Sequence, residues 1–337
     1  MKYLEIQTGH VTRLKTAEDL PEAVHEFETN QIRAVNAAIA AGRPLLVRGE
    51  PGIGKSQLAK AVAVELGRAF IPQVVDSRTE SRDLLWHFDA VARLADAQIQ
   101  RYTDEPKQSD QLATDKPAKV ILPLANYLEP RALWWAFDWA SAQIQADKLK
   151  LKKPECPDDW TPEQGCVVLI DEVDKAESDV PNGLLEALGS NSFQPQGLDY
   201  PVVAKGTPPL VVITTNEERS LPDAFIRRCL VLHLKLPEAR DRLIAKLIDR
   251  GRAHFGNLTS DAVLQGAAKC VADDRQEASD RHWLPLPGQA EYLDLLRAVI
   301  RQRKDDHAAQ EQLIGEIKRF VLRKHPDSDE AEGEQGS

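Results

Sequence analysis

The most constraining feature of the sequence is an eight-residue glycine-rich stretch that runs from Gly49 to Ser56. It fits the pattern G-x-x-x-x-G-K-[ST] at every fixed position, between an apolar run at residues 44–47 and a helix-like run at residues 57–63. A strand, a loop and a helix in this order let backbone N–H groups and the positive end of a helix dipole face a chain of phosphates. The stretch therefore predicts a nucleotide-binding loop.

The last two residues of this loop carry their own chemistry. Lys55 would neutralise phosphate charge, and the hydroxyl of Ser56 would coordinate Mg²⁺. Other glycine-rich turns also match the pattern, but the strand before it and the helix after it favour a nucleotide site. We expect the nucleotide to contact the whole loop and the residue that follows it, namely Gly49, Glu50, Pro51, Gly52, Ile53, Gly54, Lys55, Ser56 and Gln57.

Composition limits the classes of function that remain. The net charge of −10 argues against a broad basic surface for duplex nucleic acid. No apolar run approaches the ~20 residues that span a bilayer, and the first residues have no apolar signal-peptide region. The four cysteines form no Cys-x-x-Cys pair and the eight histidines are scattered, which argues against a metal site built from them. We expect a cytoplasmic protein with reduced cysteines and no membrane span.

Two continuous apolar runs in the second half indicate the fold. Residues 167–170 and 210–215 are typical of parallel strands buried on both faces, and helical patterns separate them. The prediction is an α/β fold with a doubly wound, mainly parallel sheet, followed by a small all-α domain. We place an N-terminal extension at 1–23, the nucleotide-binding domain at 24–236 with an insertion around 84–165, the helical lid domain at 237–325 and an acidic disordered tail at 326–337.

Shorter elements follow from local patterns. We predict helices over residues 24–41 and 82–100, a strand at 70–75 and a flexible polar insertion at 101–119. A further helix starting at residues 129–130 carries four aromatic residues, for which packing inside the protein is favoured over a docking surface. In the lid domain the helices are expected at 238–255, 259–273, 289–303 and 308–324.

Polar residues follow the two apolar strands directly. Asp171 would hold Mg²⁺, and Glu172 would be the general base that orients the attacking water. Asn216, after the second strand, could hold the same water from the other side. The alternatives are an acidic pair that caps the next helix and a simple turn asparagine.

A short helix predicted at residues 221–229 places Arg227 and Arg228 near its end. An arginine there can reach the nucleotide of a neighbouring subunit, and such arginine fingers increase turnover roughly 10³–10⁵-fold in other nucleotide hydrolases. The alternative is a pair of arginines that face only solvent.

The four stretches at residues 49–56, 167–176, 213–216 and 221–229 resemble, in their order, the motifs of AAA+ ATPases, most of all the MoxR-type branch. The resemblance covers about residues 24–300. It implies ATP and Mg²⁺ as cofactors and a ring, usually a hexamer, with ATP at each subunit interface. It also implies Walker A at Lys55 and Ser56, Walker B at Asp171 and Glu172, sensor 1 at Asn216, and the arginine finger at Arg228, with Arg227 as the alternative.

The sequence departs from this family at one position. Relatives carry a basic sensor 2 residue near the start of the third lid helix, where this chain has Gln289. Arg281 and Arg297 are the nearest substitutes. The coupling of lid movement to hydrolysis is the property that this departure puts in question.

Three classes of function remain. The leading hypothesis is a ring-forming ATPase that remodels or activates a client protein complex through a separate von Willebrand factor A-type adaptor, as the resemblance implies. The alternative is an ATP-gated switch in a signalling or anti-phage defence system. A nucleic-acid motor ranks third, because the chain is acidic and only the basic run at residues 148–153 supports it.

Overall fold

The computed structural model describes residues 2–14, 23–104 and 122–325 of the chain. It divides into two compact units. We call the first the sheet unit (Met1–Tyr3, Val35–Leu46 and Val62–Val231) and the second the helical unit (Leu4–Ala34, Val47–Ala61 and Leu232–Ser337). The acidic tail predicted at 326–337 and most of the polar insertion, residues 105–119, lie outside the described residues.

The strands are short and numbered in chain order. They are β1 (Val11–Leu14), β2 (Ala23–Glu26), β3 (Leu45–Arg48), β4 (Ala69–Val74), β5 (Trp86–Phe88), β6 (Leu128–Pro130), β7 (Cys166–Asp171), β8 (Ser192–Phe193), β9 (Val202–Val203), β10 (Leu210–Thr215) and β11 (Leu230–His233).

The helices are numbered in the same way. They are α1 (Thr29–Ala41), α2 (Lys55–Leu66), α3 (Ala90–Asp104), α4 (Ala132–Phe137), α5 (Trp139–Leu149), α6 (Asp179–Ser190), α7 (Asp223–Ile226), α8 (Arg240–Phe255), α9 (Asp261–Asp280), α10 (Gln289–Gln302) and α11 (His307–Leu322).

Five strands form a parallel sheet in the order β11-β3-β10-β7-β4. Both β10 and β4 pair with β7 in parallel register, with Leu210 opposite Val167 and Ala69 opposite Cys166. Strand β7 is apolar and buried from Cys166 to Ile170, as a strand covered on both faces requires. The predicted α/β fold with a parallel sheet is therefore confirmed, and β7 and β10 lie where the sequence placed them.

The aromatic residues of α4 belong to the core of the sheet unit. Trp134, Trp135 and Phe137 are all buried, and Phe193 from β8 packs against Trp134 and Phe137. The interpretation of these aromatics as packing residues is thus confirmed.

The helical unit combines the β1–β2 hairpin with helices α8 to α11. The hairpin is antiparallel, with Val11 opposite Glu26. The four helices bury a common aliphatic core around Leu247, Leu264 and Leu296, and the four helices predicted for this part of the chain are confirmed. Among the described residues, no helix is both long enough and apolar enough to pass through a bilayer.

Three local predictions were wrong. Residues 24–26 form a strand instead of the start of α1, because pairing with β1 buries Val24 and His25. The helix predicted over 82–100 begins only at Ala90, since Trp86 and Phe88 lie in a strand that pairs with β6.

The helix predicted from residues 129–130 begins at Ala132 and ends at Phe137. Asp138 starts a new helix there, because its carboxylate accepts a hydrogen bond from the N–H of Ser141.

Candidate functional site

The glycine-rich loop joins β3 to α2 and lies in the helical unit. Gly49 and Gly52 have positive φ angles of +152° and +75°. A Cβ atom on Gly49 would lie 2.5 Å from the carbonyl oxygen of Leu234, and one on Gly52 would lie 2.4 Å from the Cβ of Ala290. Only glycine fits both positions, because the backbone itself packs against these two neighbours.

Lys55 begins α2 and is buried, with 6% of the residue exposed. Its ammonium donates hydrogen bonds to the carbonyl oxygens of Gly49 at 2.7 Å and Glu50 at 3.0 Å. The positive charge is therefore held inside the curve of the loop, next to the N-terminus of a 12-residue helix. This arrangement of cation, glycines and helix N-terminus fits a phosphate chain.

A pocket of about 230 Å³ lies beside the loop within the helical unit. Its charged rim is held by ion pairs of Glu28 with Lys246 at 2.8 Å and with Arg250 at 3.2 Å. Arg250 also pairs with Glu26, which ties α8 to β2. The residues that line the pocket are Glu28, Asn30, Gln31, Ile53, Leu232, His233, Leu234, Lys235, Lys246, Arg250 and Gln289.

The two residues named above as sensor 2 substitutes make their ion pairs with residues of their own chain segments. Arg281 lies over the ring of Trp283 at 4.8 Å and pairs with Glu277, and Arg297 pairs with Asp294. Gln289, at the start of α10, is buried at the pocket. None of these three residues therefore supplies a positive charge to the loop through a contact described above.

Arg275 of α9, which the sequence analysis missed, makes an ion pair with the loop. Its Nη2 lies 2.6 Å from Oε1 of Glu50 in the loop. Glu50 and Arg275 are 225 positions apart, so no local pattern points to the pair.

The ends of β7 and β10 carry the acidic residues singled out in the sequence, and they lie in the sheet unit. Thr214 is fully buried; its hydroxyl donates to Oδ1 of Asp171 and accepts a hydrogen bond from the N–H of Glu172 at 2.9 Å. This single hydroxyl therefore fixes both acidic residues. Thr214 was also missed, because its role depends on the alignment of two strands.

Glu172 is held from two sides. Its carboxylate accepts hydrogen bonds from Nδ2 of Asn216 at 3.0 Å and from Nζ of Lys175 at 2.6 Å. The bond to Glu172 raises the pKa of Lys175. The carboxylate thus faces Asn216 and Lys175. In the described part of the chain, the Glu172 side chain makes no capping hydrogen bond to the short helical turn at Val173–Lys175. The structure brings Glu172 and Asn216 together, which favours the site interpretation over the capping one.

Arg227 and Arg228 follow the short helix α7, and both are exposed. The guanidinium of Arg43 donates to the carbonyl oxygens of both residues, at 2.9 Å for Arg228. Arg43 therefore fixes the backbone of this segment in the sheet unit and leaves both arginine side chains at the surface. The choice between an arginine finger and a solvent-facing pair stays open.

The residues proposed for Mg²⁺ are oxygen donors, the hydroxyl of Ser56 and the carboxylate of Asp171, and this is the donor type that Mg²⁺ prefers. Within residues 2–14, 23–104 and 122–325, no group of three or more His, Cys, Asp or Glu side chains is arranged to hold a metal ion by itself. Each of these oxygens is thus of the kind that suits an ion whose other ligands are phosphate and water. None of the four cysteines, all of which lie in the described part of the chain, forms a disulfide, and burial raises the pKa of Cys166 to about 12.

The family model described as "AAA domain (dynein-related subfamily)" matches residues 44–229, more than half of the chain. The chain belongs to this AAA family. The matched range contains the glycine-rich loop, Asp171, Glu172, Asn216 and the two arginines after α7, whereas Arg275 and Gln289 lie beyond it.

Two solved structures are similar to the chain at low identity. A mutant of RuvB from Thermotoga maritima is 13% identical, with 80% of this chain and 68% of that chain covered at a TM-score of 0.37. A protein from Cytophaga hutchinsonii named as a candidate ATPase is 14% identical, with 90% and 84% covered at a TM-score of 0.35. No curated protein matches the sequence.

Proposed function

We propose that this AAA protein binds ATP with Mg²⁺ and hydrolyses it. The observation that carries the proposal is the carboxylate of Glu172, held by Asn216 at the ends of two neighbouring strands. A carboxylate in a fixed orientation can accept a proton from water, and the amide beside it can orient that water.

The other residues have separate roles in this reaction. Lys55 and the loop N–H groups bind the phosphates, and Ser56 and Asp171 hold Mg²⁺, which neutralises phosphate charge when it is bound. The pocket beside the loop is smaller than pockets that take whole drug-sized ligands, so we assign to it one part of the nucleotide, the base with its ribose.

The finer proposal is a ring, a hexamer by the MoxR-type resemblance, that remodels a client protein complex through a separate von Willebrand factor A-type adaptor. Arg228, with Arg227 as the alternative, supplies positive charge to the neighbouring subunit's nucleotide. Their exposure supports this role, because a finger must leave its own subunit.

The experiment is light scattering and phosphate release with ATP, on the wild type and Glu172→Gln. We expect an ATP-dependent ring that hydrolyses ATP, and a loss of about 10²-fold or more in turnover with retained ATP binding for Glu172→Gln. Glu186→Gln is the matched control, because Glu186 is an exposed carboxylate of α6 in the same unit. A wild-type monomer without turnover at any concentration would contradict the proposal.

The second candidate is an ATP-gated switch, favoured by the 2.6 Å ion pair between Lys175 and Glu172. An ammonium that occupies one carboxylate oxygen leaves fewer acceptor sites for a water molecule, which suits slow and gated hydrolysis. Single slow turnovers with an assembly locked by ATP would support the switch, and repeated turnover stimulated by a client would support the remodeller.

A further inference from the structure

Arg275 contacts two segments of the helical unit at once. Its Nη2 lies 2.6 Å from Oε1 of Glu50 in the glycine-rich loop, and its Nη1 donates to the carbonyl oxygen of Pro287 at 2.9 Å. The side chain is largely buried, with 16% exposed. A planar guanidinium that binds two acceptors in fixed directions holds those acceptors at a fixed separation. Arg275 therefore fastens the loop to the segment that leads into α10.

Glu50 links this ion pair to the phosphate-binding lysine. Its side chain binds Arg275, while its backbone carbonyl accepts hydrogen bonds from Nζ of Lys55 at 3.0 Å and from the N–H of Ile53 at 3.4 Å. A displacement of the Glu50 side chain therefore changes the carbonyl that orients Lys55. Glu50 therefore connects Arg275 of α9 to the ammonium of Lys55.

A second contact reinforces the connection. Gly52 packs so closely on Ala290 that a Cβ would overlap it, and an ideal Cβ on Gly54 would lie 3.7 Å from Nε2 of Gln289. Both α10 residues follow Pro287, the segment that Arg275 holds. The loop is thus enclosed by α9 and the start of α10, with Arg275 as the charged connection between them.

We propose that Arg275 is a positioning residue for nucleotide binding, which acts through Glu50 to hold the loop and Lys55 in the geometry that phosphates require. This inference rests on the proposed function and deepens it. Gln289 lies at the position where the family resemblance implies a basic residue, and it carries no charge. Arg275 brings a cation to the loop from α9.

Hydrogen–deuterium exchange without nucleotide tests the connection independently of activity. We expect amide exchange in residues 49–54 to become about tenfold faster in Arg275→Met, because the loop loses its charged restraint. Arg240→Met is the matched control: Arg240, the first residue of α8, makes a 2.6 Å ion pair on an exposed surface with Asp273 of α9, the helix that carries Arg275. Arg275→Lys, which keeps the charge but not the fork, should give an intermediate rate.

Nucleotide binding and kinetics give the second readout. For Arg275→Met we expect the Kd for ATP and the KM to rise about tenfold while kcat changes less than twofold. A variant that merely folds less well would lower the apparent kcat and leave KM unchanged. Glu50→Gln should have a similar effect, and the double variant Glu50→Gln/Arg275→Met should be little worse than either single variant.

The two proposals fail in different ways. A wild type that neither binds nor hydrolyses ATP would overturn the proposed function, while the exchange data would still report on the loop. Equal exchange of residues 49–54 in Arg275→Met and Arg240→Met, or a fall in kcat with no change in KM, would overturn the role of Arg275.

Discussion

The glycine-rich loop and the strand-end carboxylates are held in place by different physical means. The loop depends on space: Gly49 and Gly52 lie so close to Leu234 and Ala290 that no Cβ fits. The carboxylates depend on hydrogen bonds, from Thr214 to Asp171 and from Asn216 and Lys175 to Glu172. Changes of volume should therefore damage the loop, and changes of charge or hydrogen bonding should damage the strand ends.

The largest effect is expected at Gly52. Gly52→Ala forces a Cβ to within 2.4 Å of the Cβ of Ala290, at a φ of +75°. Left-handed strain costs about 1–2 kcal/mol and overpacking about 1–3 kcal/mol. We expect a loss of roughly 2–5 kcal/mol in the free energy of unfolding, measured by urea denaturation, together with weaker ATP binding.

Two variants separate strain from overlap. Gly42→Ala introduces a Cβ at a φ of +60° with no atom within 4 Å, so it should cost only the strain. Gly52→Ala/Ala290→Gly removes the overlapping methyl group and should recover part of the stability. If Gly42→Ala and Gly52→Ala lower the free energy of unfolding equally, close packing does not determine the conformation of the loop.

Acid should weaken the helical unit through a buried histidine. Burial and, to a smaller extent, the charge of Arg250 lower the pKa of His25 to about 4 from 6.5. Because the folded state binds this proton less well than the unfolded state, the stability is fully present above pH 6.5 and is lost as the pH falls towards 4. The shift corresponds to about 3 kcal/mol, most of it lost by pH 4.5.

Urea denaturation at pH 7 and pH 4.5 measures this loss. His25→Phe removes the titration but also the contact between Nε2 of His25 and Oε1 of Gln31. We therefore expect His25→Phe to be less stable at pH 7 and less sensitive to acid. His254, whose pKa is also lowered to about 4 by burial, should account for part of the remaining sensitivity. An unchanged acid sensitivity in His25→Phe would show that His25 is not the group involved.

Thr214→Val tests the strand ends without a change of volume. The substitution keeps the shape but removes the bond to Asp171 and the acceptor for the N–H of Glu172. We expect a loss of about 2 kcal/mol in the free energy of unfolding and a larger relative loss of turnover. Thr214→Ser keeps the hydroxyl, so it should cost only about 1 kcal/mol for the lost methyl group and retain turnover. Equal turnover in Thr214→Val and Thr214→Ser would show that the Thr214 hydroxyl does not contribute to hydrolysis.

The contrast between the two regions also explains how much of the molecule the sequence predicted. The loop, β7, β10 and the four helices of the helical unit are continuous local patterns, and their positions followed from residue order alone. Strands β2, β5 and β6 are only three or four residues long and depend on pairing with a partner, so helical periodicity concealed them. A pattern of neighbouring residues cannot show which distant strand a short segment pairs with.

The supporting residues of the site were missed for the same reason. Arg275 reaches Glu50 from 225 positions away, and Arg43 reaches the carbonyl of Arg228 from 185 positions away. Thr214 acts only because parallel pairing places β10 beside β7. Residues that do chemistry occur in compact motifs, whereas residues that hold them in place come from whichever element the fold brings near.

The smallest effect on stability is expected at Lys175, where the two interpretations of the strand ends diverge. The ion pair with Glu172 is partly exposed, with 41% of the Lys175 side chain accessible, so Lys175→Met should leave unfolding by urea unchanged. Turnover should fall severalfold, because Lys175 and Asn216 hold the carboxylate from two sides and loss of one leaves it mobile. The matched control is Lys153→Met, which removes the ion pair of Lys153 with Asp147, another partly exposed lysine pair of the sheet unit. Phosphate release under multiple turnover decides the outcome: a rise in turnover would mean that the ammonium restrains Glu172, and it would shift the assignment from the remodeller to the ATP-gated switch.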